Sequence, residues 1–276
     1  MDSPLHSTPY ADVNAVLQLL LERIQPLLGV RFLGMYLCGS LALGDFDPDT
    51  SDIDLIVVTD AELGDEIVVR LGDMHALFAA SPSSWASRVE VVYIPRDTLR
   101  HPTRQSTPHY PQIERGTGLF KAPLENGWLF QCYVLREHGI AIAGPTPRTL
   151  VDPISADDIR RAAVAATDAI AGEWLRQAQH DPDWLAWVKR RQHHAFVVLT
   201  LCRLLYSLDE ACVASKPAAA HWAQQTHGAP WTTLIAYALA AQHEIGDAPA
   251  SIVDETIAFI RYTLENSRSR TFPPHP

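Results

Sequence analysis

Residues 39–58 read GSLALGDFDPDTSDIDLIVV. Five acidic residues fall between Asp45 and Asp54, and the last two, Asp52 and Asp54, open an apolar run through Val58. Val and Ile enrichment predicts a buried strand over 52–60. Residues i and i+2 of a strand share a face. Asp52 and Asp54 therefore project together, and Ile53, Leu55 and Val57 fill the opposite face. Two carboxylates held a few ångströms apart raise each other's pKa unless a cation neutralises them. A divalent metal is the usual solution: Mg²⁺ prefers oxygen ligands and takes one or two carboxylates together with substrate phosphates. Asp45, Asp47 and Asp49 read differently, as exposed turn residues around Pro48.

Outward from this stretch, the pattern is that of a mixed α/β domain. Apolar residues at helical spacing predict a helix over 11–28. Residues 30–40, VRFLGMYLCGS, predict a strand stopped by Gly39-Ser40. Residues 63–80 predict a helix. Residues 87–95, SRVEVVYIP, alternate and end at Pro95, which gives a third strand with Glu90 near its centre. Glu90 is a third carboxylate for the same site, as metal ligand or as general base. Gly39 allows close backbone approach, and the Ser40 hydroxyl with nearby N–H groups can hold phosphate oxygens. These parts suit metal-assisted nucleotidyl transfer, with pyrophosphate leaving.

Residues 97–128 are rich in Pro, Gly, His and Thr and read as loops, with room for strand pieces; HPTRQSTPHYPQIERGTGLF (101–120) reads as a mobile acceptor-side lid. A helix and a short strand follow, ending at Gly144-Pro145. A boundary near residue 150 then separates an α/β domain (1–150) from an all-helical domain (151–266), and 267–276 reads as a disordered tail. Helices are predicted at about 156–179, 184–208, 217–226, 231–242 and 250–266, the first capped by Ser155 with Asp157 and Asp158 in its first turn.

Composition narrows the function. The net charge of -10 opposes a large nucleic-acid footprint. No apolar run reaches the roughly 18 residues of a membrane span, and the first residues lack the pattern of a secretory signal. Cys38, Cys132, Cys202 and Cys212 form no CxxC pair, so the chain reads as cytoplasmic with reduced thiols. A monomer is the favoured assembly.

Gly39-Ser40, eleven intervening residues, Asp52-Ile53-Asp54 and a later-strand Glu90 resemble the nucleotidyltransferase superfamily that includes DNA polymerase β. The whole chain resembles the bacterial aminoglycoside adenylyltransferases of the streptomycin/spectinomycin type. EHGIAIAGPTPRTLVDPISADDI (137–159) is similar to that family's domain junction, and VVLTLCRLLYSLDEACVASKPAAAHWA (197–223) to its helical-domain signature. The resemblance implies a mixed-sheet nucleotidyltransferase domain followed by a helical bundle. It also implies Mg²⁺ on Asp52 and Asp54, with Glu90 as catalytic base. ATP is the implied co-substrate and an antibiotic hydroxyl the implied acceptor. Lys216, in an SK context, would reach the triphosphate. Arg203 and Tyr206, three residues apart on one helical face, belong to the same signature. Streptomycin-modifying members carry acidic residues and a Trp just before that signature. Here Trp184, Asp181 and Asp183 lie earlier, and Lys189, Arg190, Arg191, His193 and His194 stand nearest. A basic stretch repels a cationic drug; it reads as a solvated face or as a contact to ATP phosphates, and the two histidines as solvated or hydrogen-bonded helix-surface residues. The alternatives are adenylylation of another metabolite or of a protein side chain, and an antitoxin-like nucleotidyltransferase that regulates a partner protein.

Overall fold

The computed structural model describes residues 7–102, 108–124 and 127–270. The chain divides into two compact units, Met1–Pro153 and Ile154–Pro276. The first is a six-stranded mixed sheet with helices. Its elements run α1 (Ala11–Leu28), β1 (Phe32–Leu37), α2 (Gly39–Leu43), β2 (Ile53–Thr59), α3 (Asp65–Ala79), β3 (Val89–Pro95), α4 (Arg96–Arg100), β4 (Tyr110–Ile113), β5 (Phe120–Ala122), α5 (Trp128–His138) and β6 (Ile140–Ala143). The sheet order is β5-β4-β3-β2-β1-β6. Among the described strands only β2 and β3 run parallel; the other neighbours are antiparallel.

The alternation along β2 sorts its side chains. Ile53, Leu55 and Val57 join α1 residues Val13, Leu17 and Leu20 and α3 residues Leu71 and Phe78 in one core. Asp54 takes the other face, as the two-residue period requires. On β3, Val89, Val91 and Tyr93 enter the same core, which sends Glu90 to the Asp54 side. The α3 residue His75 is buried in this unit and hydrogen-bonds the Tyr93 hydroxyl at 2.6 Å. The stretch expected as loop over 97–128 contains α4, β4 and β5. Short alternating pieces around Pro111 pair across a turn at Glu114–Thr117, and that pairing supplies the order local periodicity lacked. Residues 103–107 of the expected lid lie outside the described residues.

The second unit is all helical: α6 (Ala156–His180), α7 (Pro182–Val188), α8 (Arg191–Glu210), α9 (Lys216–Thr226), α10 (Trp231–Ala241) and α11 (Ala250–Arg268). The capping box read at α6 is present, with Ser155 Oγ accepting from the Asp158 N–H at 3.1 Å and Asp158 Oδ2 accepting from the Ser155 N–H at 3.0 Å. The helix expected over 184–208 is two helices. Asp181 caps α7 and Pro182 starts it. At Arg190 the backbone turns extended, with ψ 130°, and pairs with Asp247. The Arg191 N–H donates to Gly246 O at 3.0 Å, and the Ala248 N–H to Lys189 O at 2.6 Å. Partners distant in sequence thus outcompete the helical hydrogen bond at this point. Helix α11 runs to Arg268, so the expected tail begins helical; residues 271–276 lie outside the described residues. Among the described residues no helix is long and apolar enough to cross a membrane.

Candidate active site

Strand β1 ends beside the start of β2, with Leu37 opposite Leu55. The Cys38 N–H donates to Asp54 O at 3.0 Å, closing that corner. Gly39 follows in the left-handed region, with φ +59°. A Cβ at Gly39 would lie 1.8 Å from Asp54 Oδ2 and 2.6 Å from its Cγ. The Asp54 carboxylate therefore occupies the space that any other residue at 39 would fill with its side chain. Both the conformation and the contact require glycine at this position. Ser40 comes next, half-buried in α2.

Asp54 and Glu90 are register partners on the parallel strands. Neighbouring strands lie about 4.8 Å apart, so the two carboxylates stand side by side on one face. Asp52 sits just before β2. Burial pushes the Glu90 carboxyl above its ordinary value, and the Asp52 charge adds to the rise; a hydrogen bond from the Arg115 main chain opposes it. Asp52, Asp54 and Glu90, the three acids singled out in the sequence, are thus gathered at one corner of the sheet.

The loop leading to Asp52 is built rather than slack. Asp47 Oδ1 accepts from the Asp49 N–H at 2.9 Å and Oδ2 from the Thr50 hydroxyl at 3.0 Å, while the Ser51 hydroxyl accepts from the Asp47 N–H at 3.0 Å. Asp47 thus turns the chain around Pro48, as an Asx-type turn does. Asp45 and Asp49 are exposed, and Asp47 is half-buried.

Two arginines at this corner carry no motif and escape a sequence reading. Arg88 donates to Pro48 O at 2.7 Å and to Ser51 O, and its guanidinium lies 4.5 Å from the Trp85 ring centroid. Burial, reinforced by the charge of Arg115, lowers its pKa. Arg115, in the β4–β5 turn, donates its main-chain N–H to Glu90 Oε1 at 3.2 Å. Its Nη1 lies 3.4 Å from Asp52 Oδ1 and 3.4 Å from Thr50 O. The one available signal was the turn-forming Arg115-Gly116-Thr117-Gly118 between two alternating runs.

Below the site lie two buried thiols, Cys38 and Cys132. Burial pushes both up; at Cys38 the charges of Asp54 and Glu90 add to the rise. A thiol kept protonated in this way is a packing group, not a nucleophile.

The remaining expected residues belong to the helical unit. Lys216 is the first residue of α9, behind the N-cap Ser215, and its Nζ lies 5.2 Å from the Phe196 ring centroid. Arg203 and Tyr206 are half-buried on α8. The Tyr206 hydroxyl accepts from Cys212 Sγ at 3.5 Å, and its ring meets Trp222 edge-on at 5.3 Å. The basic stretch is not a uniform solvated face. Lys189 and Arg190 are exposed, but Arg191 pairs with Glu244 and donates to Asp247 O at 3.3 Å. His193 stacks on Trp187 at 4.4 Å, and its Nδ1 is 2.9 Å from Trp187 O. His194, expected on the helix surface, is fully buried, with Nδ1 2.8 Å from Thr256 Oγ1. Burial depresses its pKa to about 4, so it is a neutral core residue. Its position on the α8 face that packs against α11 overrides the polarity of its neighbours.

The donor set at the sheet corner is all oxygen, which suits a hard divalent cation. The guanidinium against Asp52 shows that this place accommodates positive charge. Among the described residues no three His, Cys, Asp or Glu side chains form a group able to hold a metal by themselves.

Comparison with known proteins bears on both units. Residues 20–104 match the family model for the nucleotidyltransferase domain, and residues 149–266 match that for the aminoglycoside adenylyltransferase C-terminal domain. The chain is 29% identical over 262 residues to the aminoglycoside (3'') (9) adenylyltransferase of Shigella flexneri, covering 91% of this chain and 94% of the relative. It is 29% identical over 266 residues to the enzyme of the same name from Klebsiella pneumoniae, covering 93% and 92%. Among solved structures, the spectinomycin adenyltransferase AAD(9) from Enterococcus faecialis, determined with ATP and spectinomycin, has the same fold. The TM-score is 0.67 at 18% identity, over 93% of this chain and 99% of that one.

Proposed function

We propose, from the premise that this chain belongs to the aminoglycoside adenylyltransferase family and is a nucleotidyltransferase, that it transfers AMP from ATP to a hydroxyl of an aminoglycoside or spectinomycin-type antibiotic. The observation that carries this reading is the in-register pair Asp54 and Glu90, with Asp52 beside it and Gly39 closed onto Asp54.

Asp52 and Asp54 would hold Mg²⁺, with Glu90 as an additional ligand or as the base. Two carboxylates suffice when a nucleotide's phosphates complete the shell. A bound divalent cation would shield the triphosphate charge. Gly39 lets the chain close onto the Asp54 carboxylate, and the Ser40 hydroxyl would hold a phosphate oxygen. Glu90 accepts the proton of the acceptor hydroxyl. The acceptor oxygen bonds to the α-phosphorus, the bond from that phosphorus to the β-phosphate bridging oxygen breaks, and pyrophosphate leaves. The raised Glu90 pKa favours proton uptake, which a general base needs. In the helical unit, Lys216, Arg203 and Tyr206 are proposed to contact the nucleotide. Lys216 would neutralise the β- and γ-phosphates, and Lys216→Ala should then weaken ATP binding.

The test is pyrophosphate release from Mg·ATP with streptomycin, spectinomycin and other aminoglycosides offered separately. Release dependent on one of them supports the reading. Silence on all, with ATP still bound, moves the acceptor to another metabolite or a protein side chain.

A further inference from the structure

Arg115 meets two of the three carboxylates by different parts of itself. Its main-chain N–H donates to Glu90 Oε1 at 3.2 Å, while its guanidinium stands 3.4 Å from Asp52 Oδ1. The main-chain contact is fixed by the β4–β5 turn, where the Thr117 hydroxyl accepts from the Glu114 N–H at 3.0 Å and the Thr117 N–H donates to Glu114 O at 3.0 Å. The side-chain contact is of another kind. Arg115 is half-exposed, and its side-chain contacts, to Asp52 Oδ1 and to Thr50 O, are both long at 3.4 Å. Arg88, by contrast, is held by two carbonyls and a tryptophan ring and is not free to leave.

We propose that the Arg115 side chain is a resident counter-cation for Asp52, exchanged for the divalent metal when the site is loaded, while its main chain keeps Glu90 in place. A divalent cation on the Asp52 carboxylate repels the guanidinium beside it, so metal binding there weakens the Arg115 contact and favours its release. A long pair whose guanidinium end is open to solvent is weak enough to exchange readily. The guanidinium thus keeps the carboxylate cluster from repelling itself apart before loading and makes metal uptake cooperative with the nucleotide, whose phosphates add the negative charge that a metal alone must do without. Arg115 is then a positioning residue.

This inference rests on the metal role of Asp52 and Asp54 proposed above. It is tested by Mn²⁺ binding, followed through the electron paramagnetic resonance of the free ion, without nucleotide and with a non-hydrolysable ATP analogue. Arg115→Ala keeps the main-chain hydrogen bond to Glu90 and removes the competing charge. It should bind Mn²⁺ about fivefold more tightly than the wild type without nucleotide, and the gain from adding the analogue should shrink. Arg115→Lys should restore wild-type behaviour. Equal or weaker Mn²⁺ affinity in Arg115→Ala overturns the exchange while leaving the site reading intact. No Mn²⁺ binding by either protein, even with the analogue, overturns both.

Discussion

Each unit ties a loop with an arginine, and the two ties do different things. In the sheet unit Arg88 donates to Pro48 O and Ser51 O, and the loop it holds leads directly to Asp52. In the helical unit Arg191 pairs with Glu244 and Asp247 O, and the turn it holds packs back onto the start of α8. Arg191 meets its partners within the same few elements. Around Arg88 the tie brings Asp52 toward Asp54 and Glu90 and raises the cost of ionising Glu90. A fold selected for stability alone does not gather carboxylates in this way. The difference is what singles out the sheet corner for the chemistry proposed above.

That contrast breaks most sharply at Glu90. Glu90→Gln removes the base and keeps the shape, so turnover should fall about a thousandfold with the melting temperature held or raised. An unchanged kcat, measured by pyrophosphate release, would remove Glu90 from the chemistry. Asp54→Asn comes next. Loss of its charge should lower turnover by a few hundredfold, and the fold should survive because the Cys38 N–H bonds the Asp54 main chain, not its side chain. If Asp54→Asn melts the protein instead, as read by circular dichroism, the corner is structural after all.

The two regions also differ in how much of them a linear sequence could disclose. The carboxylate face was legible because a two-residue period fixes Asp54 opposite Ile53 and Leu55, Gly39-Ser40 ends one readable strand, and Glu90 lies within another. The α6 capping box was legible because all its parts lie within four residues. Arg88 and Arg115 were not, since each acts on backbone or carboxylate far along the chain, 37 residues away for Arg88 and Ser51. The break between α7 and α8 was hidden for the same reason: its partner is the 246–248 turn. His194 looked like part of a basic surface, and only its packing against Thr256 makes it core.

Buried histidines make both units less stable in acid. His75 and His194 each have a pKa depressed by burial to about 4, against 6.5 when unfolded. A group depressed in the fold stabilises it fully above the unfolded value. That contribution is lost as pH falls from about 6.5 toward 4, because the unfolded chain takes up the proton first. Each histidine should remove roughly 3 kcal/mol over that window. Thermal melts between pH 7 and 4 should show the loss, and His194→Gln should flatten the slope of the helical unit's share. A slope untouched by His194→Gln would mean that His194 takes up its proton in the fold as readily as in the unfolded chain.

The smallest effect is the one that separates the two arginines. Arg191→Ala removes a partly exposed ion pair, and such pairs contribute about 1 kcal/mol or less. The main-chain bonds of the same turn, from Arg191 to Gly246 O and from Ala248 to Lys189 O, do not depend on that side chain. Melting temperature should therefore drop by only a few degrees, with transfer at its wild-type rate. Arg88→Ala should cost comparably little stability, because its carbonyl partners can turn to water at the exposed loop. Its transfer rate should nevertheless fall at least tenfold, because the Asp52 loop loses its anchor and a carboxylate displaced by even an ångström is misplaced for the reaction. Measured side by side, the two variants should separate in activity and not in stability. If they fall together in both, the Asp52 loop holds its own shape through Asp47 and Ser51, and Arg88 is no more than the surface tie that Arg191 is.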